Sequence, residues 1–129
     1  MKEFILVDTD VLIDAGRGVS TAMNCLSQKR KIVSLAVSVI TKMELIVGCE
    51  NGNELRNTFK FLAHFDVVHI DKIISQTGAD LLEKYQLSHG LLIPDAFIAA
   101  TAISLDLPLI SKNQRDYRFI SDLNLLTYP

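Results

Sequence analysis

The sequence predicts an α/β domain with a mostly parallel central sheet flanked by helices. Three observations predict it. Short apolar runs of strand length recur along the chain, the first from Phe4 to Val7. Stretches with helical spacing separate them, and strands alternating with helices give a parallel sheet covered on both faces. The 129 residues are 49% apolar and 22% charged, the size and make-up of one globular domain that folds without disulfides or a structural metal.

The elements follow in order. Phe4 to Val7 is a continuous apolar run, as in a strand buried on both faces. It ends at Asp8, and Val11 to Ala15 reads as helix. Gly16 and Gly18 make a turn. Ser34 to Val37 is the second strand and runs into Ser38-Val39-Ile40-Thr41. Met43, Leu45, Ile46 and Val47 then indicate a helix, with Gly48 and Gly52 punctuating its exit. Leu55, Phe59 and Leu62 fall at i, i+4 and i+7, an amphipathic helix. Val67 to Ile70 is a third strand. Asp71 can cap a helix whose apolar stripe is Ile74, Leu81, Leu82 and Tyr85. Pro94 opens a helix that runs to about Leu105, since proline at the first helical position lacks only an N–H that has no partner there. Leu107 to Ile110 is a fourth strand and Leu123 to Thr127 a candidate fifth.

Composition restricts the function. Lys plus Arg number 13 and Asp plus Glu 15, a net charge of −2, whereas a protein gripping duplex nucleic acid over its whole surface is normally basic. Any nucleic-acid handling must use a local basic patch or a metal. Cys25 and Cys49 lack metal-ligand spacing and are too few for a disulfide framework, which points to free thiols in a reducing compartment. The opening MKEFILVDTD is too short in apolar residues for a signal-peptide core, and no stretch suits a membrane span, so the expected location is the cytoplasm with no membrane contact. Lys29-Arg30-Lys31 and the group Lys112, Arg115 and Arg118 are basic clusters that a solvated surface alone would explain.

Ligand sites of parallel α/β sheets lie beyond the carboxyl ends of the strands. That rule selects Asp8 and Asp10, the 38–44 segment, and Ser111 to Asp116. Three acids there have apolar surroundings: Asp8 after FILV, Glu44 within VSVITKMELIVG, and Asp95 between LLIP and AFIAATA. Each has a local explanation. Asp8 or Asp10 can cap the first helix, Thr41-Lys-Met-Glu44 fits a capping box, and Asp95 suits the positive end of a helix macrodipole. Taken together they are better explained by a shared divalent cation, because acids drawn inward need partners and hard cations take oxygen ligands. On that reading their carboxylates lie within about 6 Å of one another, and without a metal mutual repulsion raises at least one pKa.

The segments VDTDVLID (7–14), SVITKMELIVG (38–48), IPDAFIAATAISLDLPLISKN (93–113) and QRDYRFI (114–120) resemble those of the PIN-domain ribonucleases, with the closest likeness to VapC-type toxins of toxin–antitoxin pairs. The resemblance spans nearly the whole chain and implies a single PIN-like domain over residues 1–129. It implies a metal-dependent endoribonuclease in which Asp8, Glu44 and Asp95 bind Mg²⁺ or Mn²⁺ and Thr9 and Ser111 shape the site. The fourth acidic position of the family falls in the S-x-N-x-x-D stretch, where either Asn113 or Asp116 completes the site. Asp10 departs from the frequent Asn or Ser of the first motif. Lys112, Arg115 and Arg118 would hold RNA phosphates. The resemblance also implies a homodimer, blocked by a cognate antitoxin through which any DNA contact would be indirect. The nearly all-apolar 94–105 helix independently suggests burial by a second subunit.

Two other readings compete. FILVDTDVLID resembles the opening motif of haloacid-dehalogenase-type phosphatases, with Asp8 as nucleophile and Asp10 as general acid, but Ser111-Lys112-Asn113 lacks that family's late acidic pair. A receiver-type signalling domain shares the length and the early acids, yet its phosphoacceptor would have to be Asp71, which comes late. His64, His69 and His89 show no ligand spacing and read as surface residues.

Overall fold

Four strands form the sheet of the computed structural model, which describes residues 3–129: β1 (Phe4–Val7), β2 (Ser34–Ser38), β3 (Asp66–Val68) and β4 (Leu109–Ile110). They run parallel in the order β3-β2-β1-β4. Leu6 pairs with Ala36 on one side and Leu109 on the other, and Val7 pairs with Ile110. The chain therefore leaves β1 toward β2, and β4 later pairs with the opposite side of β1. The crevice at that switch point opens beyond Val7 and Ile110.

Strand alternation sorts the core into two layers. Leu6, Ala36 and Leu109 point to one face, under α5 (Lys72–His89) and α6 (Ile93–Ser104). Ile5, Val7, Leu35, Val37 and Ile110 point to the other, under α1 (Thr9–Gly16) and α2 (Ser20–Arg30). Two further helices, α3 (Val39–Val47) and α4 (Gly52–Leu62), connect β2 to β3.

Helix α2 has no counterpart in the sequence reading. Its buried residues are Ala22, Cys25 and Leu26, so its apolar stripe is narrow, and Val19 at its N-cap makes no side-chain capping bond. The Lys29-Arg30-Lys31 cluster closes this helix. Arg30 donates to the His64 carbonyl at 3.0 Å and lies over the Phe65 ring at 4.8 Å. The capping-box reading of Thr41 to Glu44 is overturned. Helix α3 starts at Val39, and the cap is Ser38, whose hydroxyl accepts from the Ile40 N–H at 3.1 Å. Thr41 and Glu44 therefore sit within the helix, three residues apart on one face. Pro94 occupies the second rather than the first position of α6. The candidate fifth strand is reduced to one bridge, Leu109 to Leu125, because the chain meets β4 only there.

The other caps follow local chemistry. Asp71 accepts from the Ile74 N–H at 2.8 Å, and α5 ends at Gly90 in a left-handed conformation that glycine adopts without strain. The all-apolar character of α6 is largely satisfied inside the chain, where Ala96, Ile98, Ala99, Ala100, Thr101 and Ala102 are buried. Close packing of α5 on α6 depends on Gly78, whose Cβ would stand 3.3 Å from the Phe97 ring and 3.8 Å from the Ala100 Cβ. Gly78→Val adds branched atoms at that contact, and urea unfolding should show a loss of about 1–3 kcal/mol, the usual range for an overpacked core.

Candidate active site

Asp8 follows β1 directly and serves as the N-cap of α1. It is 4% exposed. One carboxylate oxygen accepts from the Thr9 N–H at 2.9 Å, and the other accepts from the Ser111 hydroxyl at 2.7 Å. Ser111 is fully buried and follows β4, so this bond joins the carboxyl ends of two neighbouring strands. On the β2 side, the Thr9 hydroxyl donates to Glu44 Oε1 at 2.8 Å and lies 2.9 Å from the Thr41 hydroxyl. Thr41 has no solvent exposure. It is a member of the site that the sequence reading missed, since its place beside Glu44 suggested only a helix cap.

Asp95 lies in the first turn of α6 and is half-buried. Its Oδ1 accepts from the Tyr117 hydroxyl at 3.2 Å. Tyr117 is 1% exposed and was also missed. Set among Arg115, Asp116 and Arg118, it gives no sequence signal of a site residue.

Asp10 is more deeply engaged than its departure from the family pattern suggested. Its carboxylate accepts from the Val11 N–H at 2.7 Å and the Asn113 N–H at 3.0 Å, and Ser111 Oγ lies 3.4 Å away. Asn113 thus serves the site through its backbone. Residues Gln114–Asp116 form a 3-10 turn, and the Asp116 N–H donates to the Asn113 carbonyl at 3.1 Å. Residues three apart eclipse in such a turn, which puts Asp116 and Asn113 on one side. Asp116 is exposed and its charge bears on Asp95. Asp116 forms no ion pair with its neighbours Arg115 and Arg118. Among the described residues the one ion pair is Lys112 with Asp14, at 2.9 Å. Lys112 thus braces the β4 exit against α1, while Arg115 and Arg118 are exposed.

The acids gather as a cluster, but not as a closed cage. Among the described residues no three His, Cys, Asp or Glu come together closely enough to hold an ion. Each of the three acids is met by a hydroxyl instead: Ser111 on Asp8, Thr9 on Glu44 and Tyr117 on Asp95. The carboxylates still feel one another. Burial, and after it the charge of Asp10, pushes the Asp8 carboxyl up to about 7. Burial also raises Asp95, helped by the charges of Asp116, Glu44 and Asp10 and opposed by the Tyr117 hydrogen bond. Burial raises Asp10. Burial and the charges of Asp8 and Asp95 keep the Tyr117 phenol protonated far above the ordinary tyrosine range.

The donor set suits a hard divalent cation. It consists of carboxylates and hydroxyls, without thiol or imidazole, and no lysine or arginine pairs with Asp8, Glu44 or Asp95 among the described residues. The competing phosphoacceptor has another task, because the carboxylate of Asp71 is the cap of α5.

The PIN domain matches residues 5–121, and the chain belongs to the PIN-domain family. Ribonuclease VapC10 of Mycobacterium tuberculosis is 40% identical over 110 residues, covering 84% of this chain and 82% of that protein. Ribonuclease VapC1 of Methanocaldococcus jannaschii is 34% identical over 131 residues, covering 96% and 86%. Within the family the chain falls in the VapC ribonuclease branch. A toxin–antitoxin complex from Klebsiella pneumoniae contains a chain of the same fold, with a TM-score of 0.80 and 31% identity over 95% of this chain and 96% of that one. The fold recurs in VapBC2 of Rickettsia felis, solved on a promoter DNA fragment, with a TM-score of 0.82 and 20% identity over 98% and 99%.

The raised carboxyl of Asp8 has a consequence for stability. Its folded-state value, about 7, lies above the ordinary 3.8, so the folded protein favours the protonated form. The resulting stability is fully present below pH 4 and is lost as pH rises toward and through 7. In EDTA, Asp8→Asn should therefore be more stable than the parent at pH 8, by roughly 1–3 kcal/mol. The difference should shrink toward pH 5, as followed by thermal melts.

Proposed function

We propose that this chain is a Mg²⁺- or Mn²⁺-dependent endoribonuclease that acts as the toxin of a toxin–antitoxin pair. The observation that carries the reading is the group Asp8, Glu44 and Asp95, set at the carboxyl edge of the sheet and bonded to hydroxyls rather than to protein cations. Asp8, Glu44 and Asp95 would hold the metal, with Asp116 beside them. A bound divalent ion supplies water activation and neutralises the phosphoryl oxygens of an approaching phosphodiester. Asp8 is oriented for this by Ser111 and the Thr9 N–H, and Glu44 by Thr9. Arg115 and Arg118, exposed on the segment that carries Asp116, hold RNA phosphates, so the net charge of −2 does not repel the substrate locally. Lys112 contributes only when it exchanges its Asp14 partner.

Partners follow from the surface. A groove of 490 Å³ lies beside Glu44 and is lined by Ile13, Arg17, Leu45, Cys49 and Thr58, among others. Exposed Met43, Val47 and Phe59 belong to the same two helices, α3 and α4. An antitoxin segment seated there blocks the site, and promoter DNA is contacted through the antitoxin. A second exposed apolar group, Leu87, Leu92 and Ile93, stands at the α5–α6 junction, and a second copy of the chain covers it in a homodimer. Among the described residues no helix is long and apolar enough to cross a membrane, and the cytoplasm is the proposed location.

Purified protein should cleave RNA with Mg²⁺ or Mn²⁺ and stop in EDTA. Asp8→Asn should lower cleavage by at least about 100-fold, since even groups behind the ligands of a metal site commonly cost 10- to 100-fold when removed. Asp116→Asn should raise the Mg²⁺ concentration needed while preserving the maximal rate better than Asp8→Asn does. Cleavage that persists in EDTA would remove the metal from the reading. Arg115→Glu and Arg118→Glu should each reduce the salt dependence of RNA binding, by about one in log–log slope for every phosphate no longer held. In sedimentation velocity, Leu92→Glu with Ile93→Glu should shift the protein from dimer to monomer.

A further inference from the structure

The hydroxyl of Tyr117 has no reason in packing. Its ring lies in the core layer with Leu6, Ala96, Leu109 and Ile120, and a phenylalanine would fill the same volume. A phenol O–H withdrawn from water is costly unless it finds a partner. Here the partner is a carboxylate that is itself half-buried, Asp95, at 3.2 Å. Asp8 is the second acidic neighbour of the same hydroxyl. The Tyr117 proton thus bonds one of the three acids assigned to the metal, Asp95, while the charge of Asp8 bears on the same phenol.

The segment that carries Tyr117 is fixed from three sides. Gln114 donates to the Ser111 carbonyl at 2.8 Å and to the Leu126 carbonyl at 3.0 Å. The Tyr117 N–H donates to the Gln114 carbonyl at 3.2 Å. Phe119 stacks on His89, with centroids 4.2 Å apart, and packs against Tyr85 at 5.2 Å. The ring is therefore placed by the fold rather than by the acids, and its hydroxyl can impose a direction on them.

We propose that Tyr117 is a positioning residue of the metal site: its O–H holds one oxygen of Asp95 and leaves the other turned to the ion. The proposal rests on the metal-dependent reading above. Asp95, in the first turn of α6, has the Tyr117 hydroxyl as its one side-chain hydrogen-bond partner among the described residues. Asp8 and Glu44 are oriented by Ser111 and Thr9, and Tyr117 does for Asp95 what those hydroxyls do for them. Loss of a group that orients a metal ligand commonly costs about 10- to 100-fold in metal affinity.

The test is Mn²⁺ binding to the full chain, followed by electron paramagnetic resonance, for the parent, Tyr117→Phe, Asp95→Asn and the double variant. Tyr117→Phe should weaken Mn²⁺ binding by about tenfold while the far-ultraviolet circular dichroism stays that of the parent. In the Asp95→Asn background the same change should move affinity by less than about twofold, as expected for a residue acting through its neighbour. A folded Tyr117→Phe protein that binds Mn²⁺ as tightly as the parent would overturn the proposal, as would an equal loss in both backgrounds. A parent protein that binds no Mn²⁺ would instead overturn the metal-dependent reading. A second measurement does not require the variant to fold. The chain has three tyrosines, so ¹³Cζ-labelled tyrosine gives three resonances, and Tyr85→Phe and Tyr128→Phe assign the third to Tyr117. Mg²⁺ should shift the Tyr117 resonance and leave that of Tyr85 in place. An unmoved Tyr117 resonance at saturating Mg²⁺ counts against the proposal.

Discussion

The hydrogen bond from Ser111 to Asp8 is the contact on which the rest of the site depends. It spans 2.7 Å between residues 103 apart in sequence, and both are buried. The pairing of β1 with β4 makes it possible, since Val7 lies opposite Ile110 and the next residues on the two strands are Asp8 and Ser111. From Asp8 the chain turns at once into α1, which carries Thr9 toward α3 and Glu44. From Ser111 it turns into the loop and 3-10 turn that bring Asn113 to Asp10 and Tyr117 to Asp95. Two strand registers thus determine which side chains meet at the carboxyl edge.

That arrangement lowers the stability of the domain. Asp8, Asp10 and Asp95 all have carboxyls raised above their ordinary range, with burial as the leading cause. A core built only for stability would not collect carboxylates whose partners are hydroxyls and backbone N–H groups. The two apolar layers on either side of the sheet must offset the cost. On the proposed metal-dependent reading, the same imbalance would favour a divalent ion, because neutralising buried charge would contribute to its binding. Stability and metal affinity would then be coupled through the same oxygens.

Much of this was legible in the sequence. The parallel sheet could be read from FILV, SLAV and LPLI because strands buried on both faces appear as continuous apolar runs. Asp8, Glu44 and Asp95 stood out because acids are rare in such surroundings. Helix α2 did not, since Ala22 and Cys25 form a weak stripe. Glu44 stood out as a candidate, but its local setting did not, because Thr41 and Glu44 have the capping-box spacing while the real cap, Ser38, lies one turn earlier. Tyr117 and Thr41 were hidden for another reason. Tyrosine in a core and threonine in a helix are both ordinary, and only the fold shows that their hydroxyls end on carboxylates or beside them.

Asp10 and Asn113 show how such a site redistributes charge. The resemblance commonly places Asn or Ser at position 10 and either Asp or Asn at position 113. This chain carries the acid at 10 and the amide at 113, and the loop touches α1, the Asn113 N–H donating to Asp10 at 3.0 Å. Acids at both positions would place another negative charge beside a cluster whose nearby cation, Lys112, is paired with Asp14. With the acid on α1 and a neutral residue on the loop, the N–H faces a carboxylate, a charge-assisted bond. The negative charge beside Asp8 is kept, and the 113–116 segment is anchored to α1 rather than repelled by it. Asp116 is the acid that this segment retains, one turn further on and in solvent.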